Sequence, residues 1–140
     1  MNRQKIVVAG LVAGLVLNVL DFITYSYITA GALKQAMDGV NPSLSVAMAS
    51  SRAMVTSIVM DFLLGIVLVW LYAAMRPRYG AGPRNALVSA FFVWLVSCFA
   101  YSMLHTMGMV TMHLFLLIAV LSLITLSLGA LAGGKLYTEA

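Results

Sequence analysis

Four long apolar runs, separated by short polar intervals, organise this chain. They cover residues 6–30, 54–75, 86–104 and 111–133. A helix that crosses a bilayer needs roughly 20 mainly apolar residues at about 1.5 Å rise each, and the four runs meet that length. None alternates with the period of two that a half-buried strand requires. Backbone groups in lipid must satisfy one another within the segment, so the runs are predicted as helices. The expected fold is all-α: an integral membrane four-helix bundle forming a single domain over residues 1–140.

Each run carries its small and polar residues on one face. At 100° per residue, Gly10, Gly14, Asn18, Asp21, Tyr25 and Ile28 fall within an arc of roughly 80° on the first helix, while Val8, Val12, Leu15, Val19 and Ile23 point away from it. The second helix repeats the pattern with Ser57, Asp61, Gly65 and Tyr72. On the third, Trp94, Cys98, Tyr101, Ser102 and His105 lie together; on the fourth, Thr111, Ser122, Thr125, Gly129 and Gly133 do. Four such stripes imply a shared interior. Gly10-x-x-x-Gly14 and Gly129-x-x-x-Gly133 are small-xxx-small pairs that let helices approach closely, so Gly10, Gly14, Gly65, Gly129 and Gly133 are the expected packing positions.

Composition agrees with lipid as the solvent. Of 140 residues, 63% are hydrophobic and 9% charged, and mean hydropathy is +1.04. A soluble domain is about 45–50% apolar and about 25% charged. This excludes an ordinary cytosolic enzyme, a disordered regulator and a nucleic-acid-binding domain, despite the net charge of +4. The single cysteine, Cys98, excludes an internal disulfide and any CxxC motif. Arg3 and Lys5 would suit the basic head of a signal peptide, but the run behind them is too long and contains Asn18 and Asp21, so it reads as a retained span.

The basic residues set an expected orientation. Arg3, Lys5, Arg76, Arg78, Arg84 and Lys135 fall on one side, Lys34 and Arg52 on the other. The positive-inside rule then puts both termini in the cytoplasm. The segment 76–84, RPRYGAGPR, becomes a basic inner hairpin in which Pro77 and Pro83 stop the helices and Gly80 and Gly82 turn the chain. Its Arg76, Arg78 and Arg84 are topology determinants and candidate contacts for anionic lipid headgroups. The outer segment 31–53 has turn signals at Asp38-Gly39 and Asn41-Pro42, with apolar residues at helical spacing, and is predicted to form short interfacial helices.

Asp21 and Asp61 carry the candidate chemistry. Each lies about 21–23 Å above the inner end of its run, so the two carboxyls can meet at one level. A carboxylate in hydrocarbon costs about 2.5–3.5 kcal/mol on insertion scales. The pair therefore reads either as a proton or cation site, or as a structural cluster bonded to Asn18, Ser57, Tyr25 or Tyr101 or paired with Arg52. His105 is a candidate ligand for haem, chlorophyll or a metal, although no HxxxH or ExxH spacing accompanies it. Met103, Met107, Met109 and Met112 suggest a soft metal, but methionines spread along an apolar chain are more simply packing residues. No nucleophile–base set, phosphate loop or dinucleotide fingerprint is present, so no enzyme activity is expected.

Three stretches resemble an uncharacterised family of small bacterial four-span inner-membrane proteins. They are Ala9-Gly10-Leu11-Val12-Ala13-Gly14-Leu15 followed by Asn18 and Asp21, then Val69 to Gly80 (VWLYAAMRPRYG), and the Gly133 to Tyr137 ending. The third span takes no part. The resemblance implies a bacterial inner-membrane location and a helical bundle, and it transfers no activity or site. Three functions remain: a non-enzymatic accessory or assembly subunit, joined to other membrane subunits or to itself; a small proton- or cation-coupled transporter using Asp21 and Asp61; or a bundle that binds haem, pigment, metal or lipid.

Overall fold

The computed structural model describes residues 2–138. Helix α1 spans Arg3–Thr24, a π-helical turn follows over Tyr25–Thr29, and α2 covers Ala30–Val40. Helices α3 (Pro42–Met48), α4 (Ser51–Tyr79), α5 (Pro83–Thr106) and α6 (Met112–Leu136) complete the chain. The described residues contain no strand. Four helical stretches, Arg3–Val40, Ser51–Tyr79, Pro83–Thr106 and Met112–Leu136, are long and apolar enough to cross a membrane.

Local chemistry sets most of the helix starts. The Asn2, Asn41, Ser50 and Thr111 side chains accept from the backbone N–H of Lys5, Ser43, Ala53 and Leu114, satisfying donors that a helix start leaves unpaired. Pro83 opens α5 after Gly82, whose φ of 133° lies in the region that favours glycine.

Two boundaries differ from the expectation. The first helix does not end near residue 30: it passes through the π turn and runs on to Val40, 38 residues in all. Its contour of about 57 Å outruns a single crossing of a ~30 Å hydrocarbon layer. Two helices do occupy 31–53, but only α3 is separate from the first run. Pro77 also does not stop its helix. It sits in the last turn of α4, where its missing N–H removes one bond, and the helix ends at Gly80 with φ 78°.

Helix α1 packs on α4 and α6, and α5 closes the square against α4 and α6. The α1–α4 contact is a glycine contact. A Cβ placed on Gly10 would lie 2.6 Å from the Ile66 Cα, one on Gly14 2.6 Å from the Phe62 Cα, and one on Gly65 2.5 Å from the Gly10 carbonyl. On α6, Gly129 lies under Leu17 and Gly133 against Ala9, Ala13 and Val69. Around these contacts Ala13, Leu17, Leu68, Val69 and Ala90 are fully buried.

The same end of the bundle holds both chain ends and the α4–α5 turn. The Tyr137 hydroxyl accepts from the Asn2 N–H at 3.3 Å, and the Tyr72 hydroxyl from the Gly82 N–H at 3.1 Å. The two tyrosine rings meet edge to face at 6.3 Å. The opposite end is looser. No residue within 18–28, 51–64, 91–106 or 115–124 is fully buried.

Replacing Gly65 with leucine is expected to lower the melting temperature sharply in detergent, because the side chain meets backbone rather than a movable neighbour; overpacking alone costs about 1–3 kcal/mol. Gly31→Ala serves as the control. A Cβ there meets nothing within 4 Å, so thermal denaturation should show no loss and a small gain from helix propensity.

Candidate functional site

In the looser half, one polar residue or more from each of α1, α4, α5 and α6 faces a common space. Helix α1 supplies Asn18 and Asp21. The Asn18 amide donates to the Gly14 carbonyl on its own helix at 3.0 Å and to the Ile58 carbonyl on α4 at 3.3 Å. This cross-helix bond continues the register in which Gly10 faces Ile66 and Gly14 faces Phe62, so Asp61 lies near the level of Gly14, about 9 Å along the axis from Asp21, and the two are not at one level as their depths suggested. The two carboxyls are close enough to repel one another when both are ionised. Tyr101 on α5 lies within electrostatic range of both.

Helix α6 contributes Thr125. Its hydroxyl lies beside the Asp21 carboxyl and within 3.2 Å of the Ser122 carbonyl. One hydroxyl proton cannot serve both acceptors at once. The neighbouring Trp94 indole N–H donates to the Ala119 carbonyl at 2.7 Å and ties α5 to α6. The cluster is thus Asp21, Asp61, Asn18, Tyr101 and Thr125. Both aspartates are half-buried, and Tyr101 is 42% exposed, so the space is open on a flank.

Two expected members stand apart. Tyr25 is 41% exposed, and Ile28, placed on the same face by the helical wheel, is 48% exposed. Tyr25 keeps the ordinary helical bond from its N–H to the Asp21 carbonyl, but for Ile28 the cause is the π turn. Its extra residue rotates everything beyond it, turning Ile28 out and Thr29 in, and Thr29 is buried at 3%. Ser57 is exposed, and its hydroxyl donates to the Ala53 carbonyl of its own helix at 3.0 Å. It lies in the stretch of α4 that packs least.

His105 acts as a staple for the α5–α6 turn. Its Nδ1 lies 2.8 Å from the Val110 carbonyl, and since a carbonyl only accepts, Nδ1 carries the proton. The ring stacks on Phe115 with centroids 6.1 Å apart. Among the described residues no three His, Cys, Asp or Glu side chains converge on a point where a metal could sit. Asp21, Asp61 and His105 are therefore not a ligand set.

The three arginines of the hairpin also separate. The Arg76 guanidinium lies over the Tyr137 ring, 5.5 Å from its centre, whereas Arg78 and Arg84 are exposed. The charge of Arg76 faces the tyrosine cluster between the chain ends.

Asn85 is the residue that the hydrophobic pattern does not disclose. It is 1% exposed, and its amide donates to the Tyr72 carbonyl at 3.0 Å and the Gly80 carbonyl at 3.1 Å, locking the α4–α5 turn. The available signal was an asparagine in the first turn of a helix, two residues after a proline, beside an apolar run. Thr125 was visible on the polar face of the fourth run, but not as a neighbour of Asp21. No protein-family model, curated protein or solved structure matches this chain.

Because His105 is committed to the turn, His105→Phe should keep the ring stack and cost only one hydrogen bond, about 1 kcal/mol. Thermal melts should show a small drop for this variant. Exhaustive chelation of the wild type should leave its melting temperature unchanged.

Proposed function

We propose that the chain is a non-enzymatic integral membrane protein that acts as an accessory or assembly subunit, its open half forming the surface that joins another membrane subunit or a second copy. The observation that carries this reading is the half-covered acidic pair. A carboxylate facing hydrocarbon costs about 2.5–3.5 kcal/mol on insertion scales, and intramembrane acids are normally covered by protein or by a water-filled cavity. Asp21 and Asp61 sit where the bundle is loosest, beside stretches of α4 and α5 in which no residue is fully buried. A further helix laid over that flank would complete their surroundings.

The positive-inside rule supports both termini and the basic 76–84 hairpin in the cytoplasm. These charges share the end where Asn2 N–H donates to Tyr137, Gly82 N–H donates to Tyr72, and the two tyrosine rings touch. The likeness of the Val69 to Gly80 stretch to bacterial four-span proteins supports the bacterial inner membrane as the location.

The second reading is a proton- or cation-coupled transporter, favoured by the proximity of Asp21, Asp61 and Tyr101. Against transport by one copy stands the terminal half, where Ala13, Leu68, Val69 and Ala90 are fully buried around the glycine contacts. An ion leaving the acidic pair toward that end would meet packed apolar side chains. A conduction path would have to run between copies.

Solubilisation of native membranes in a mild detergent is expected to recover the full chain with a stoichiometric partner or as a defined oligomer. The double variant Asp21→Asn/Asp61→Asn should weaken that association about tenfold or more, since relief of the roughly 2.5–3.5 kcal/mol cost of an uncovered carboxylate is what the partner supplies. A monomer without partners across detergents overturns the reading. Flux in proteoliposomes that the same variant abolishes would establish transport instead.

A further inference from the structure

One surface groove lies outside the polar cluster, at the basic end of the bundle. It is lined by Tyr79 at the end of α4 and by Arg84, Leu87, Val88, Phe91 and Phe92 on α5. On α5 these residues follow the spacing i, i+3, i+4, i+7 and i+8, so they form one stripe along the helix. Leu87, Phe91 and Phe92 are 44–47% exposed, and the Phe91 and Phe92 rings stand edge to face at 6.1 Å.

The mouth of the groove suits an anion. The Arg84 guanidinium is exposed there, and the Tyr79 side chain flanks it. The first turn of α5 receives no side-chain cap, so its backbone N–H groups and the positive end of its dipole add to the same field. The floor suits a hydrocarbon chain. From Arg84 to Phe92 the stripe rises eight residues, about 12 Å, close to the ~15 Å depth of one leaflet.

We infer that this groove is a binding site for an anionic phospholipid, with the phosphate at Arg84 and the start of α5, and an acyl chain along Leu87, Val88, Phe91 and Phe92. The inference rests on the chain spanning a membrane but is independent of any partner subunit. A zwitterionic lipid presents the same acyl chain but carries its own cation to the arginine. Free phosphate presents the anion without the chain. Only the anionic lipid satisfies both ends of the groove.

The test uses the purified full chain in a neutral detergent, with bound lipid counted by native mass spectrometry after addition of phosphatidylglycerol or phosphatidylcholine of matched acyl chains. Phosphatidylglycerol should bind at least about 5-fold more tightly, the factor expected for one basic residue at an anionic headgroup. Arg84→Gln should abolish that preference and Arg84→Lys should retain most of it. Phe91→Ala should weaken both lipids together. Arg78→Gln removes an equal charge from the same segment but lies outside the groove, and should leave the preference in place.

Equal binding of the two lipids by the wild type, or an equal loss in Arg78→Gln and Arg84→Gln, overturns the site. Competition by millimolar inorganic phosphate that matches phosphatidylglycerol would overturn a lipid as the occupant. Retention of the chain in alkali-washed membranes reads the membrane premise separately, so failure of the premise and failure of the groove give different results.

Discussion

Three glycines bring two helical backbones into contact, and most of this architecture follows from that approach. Gly10 and Gly14 on α1 face Gly65, Phe62 and Ile66 on α4 with no room for a Cβ at any of the three glycines. Helices as apolar as these are long enough to cross a membrane, and in lipid they would have no hydrophobic driving force of the kind that folds a soluble bundle, so close packing and interhelical hydrogen bonds would hold them. The contact supplies the packing and the adjacent Asn18–Ile58 bond supplies a polar tie. Helix α6 then lies against the same pair through Gly129 and Gly133. The three helices share a terminal half that is sealed.

That sealing leaves the other half with different work. Past the glycines the packing loosens, with no residue within 18–28, 51–64, 91–106 or 115–124 fully buried, and both aspartates lie in that half. The packed base and the open acidic flank belong together, since the glycine contact fixes the spacing and register at which Asp21 and Asp61 face each other's electrostatic field. The staples at the far end, His105 to Val110 and the Lys34–Asp38 pair at 2.6 Å with Ser45 on the other Asp38 oxygen, fix the turns without closing the flank.

Much of this arrangement was legible along the chain because long apolar helices leave a strong periodic record in sequence. The four apolar runs mark the four long helices, and the small residues at Gly10, Gly14, Gly65, Gly129 and Gly133 mark close approaches between them. Equal depth for Asp21 and Asp61 did not hold, because the register of the glycine contact sets Asp61 opposite Gly14 rather than Asp21. What escaped depends on other physics. A π turn has no periodic signature, so Ile28 was placed on a wheel that had already slipped. Pro77 tolerates a last helical turn because only one bond is lost there. Asn85 acts across a hairpin, 13 residues from Tyr72, and hydrophobic periodicity is silent about such contacts.

The π turn over Tyr25–Thr29 works as a gear. An uninterrupted α-helix would set Met37 about 160° around the axis from Asp21; one surplus residue in the turn reduces that to about 60°. Met37, at 9% exposure, is the buried residue of α2, and α2 packs on α3. A single continuous helix thereby engages the bundle along one part of its length and α3 along the next. The phase between the two engagements is stored in five residues, and shortening that turn by one would leave each helix intact while setting them out of step.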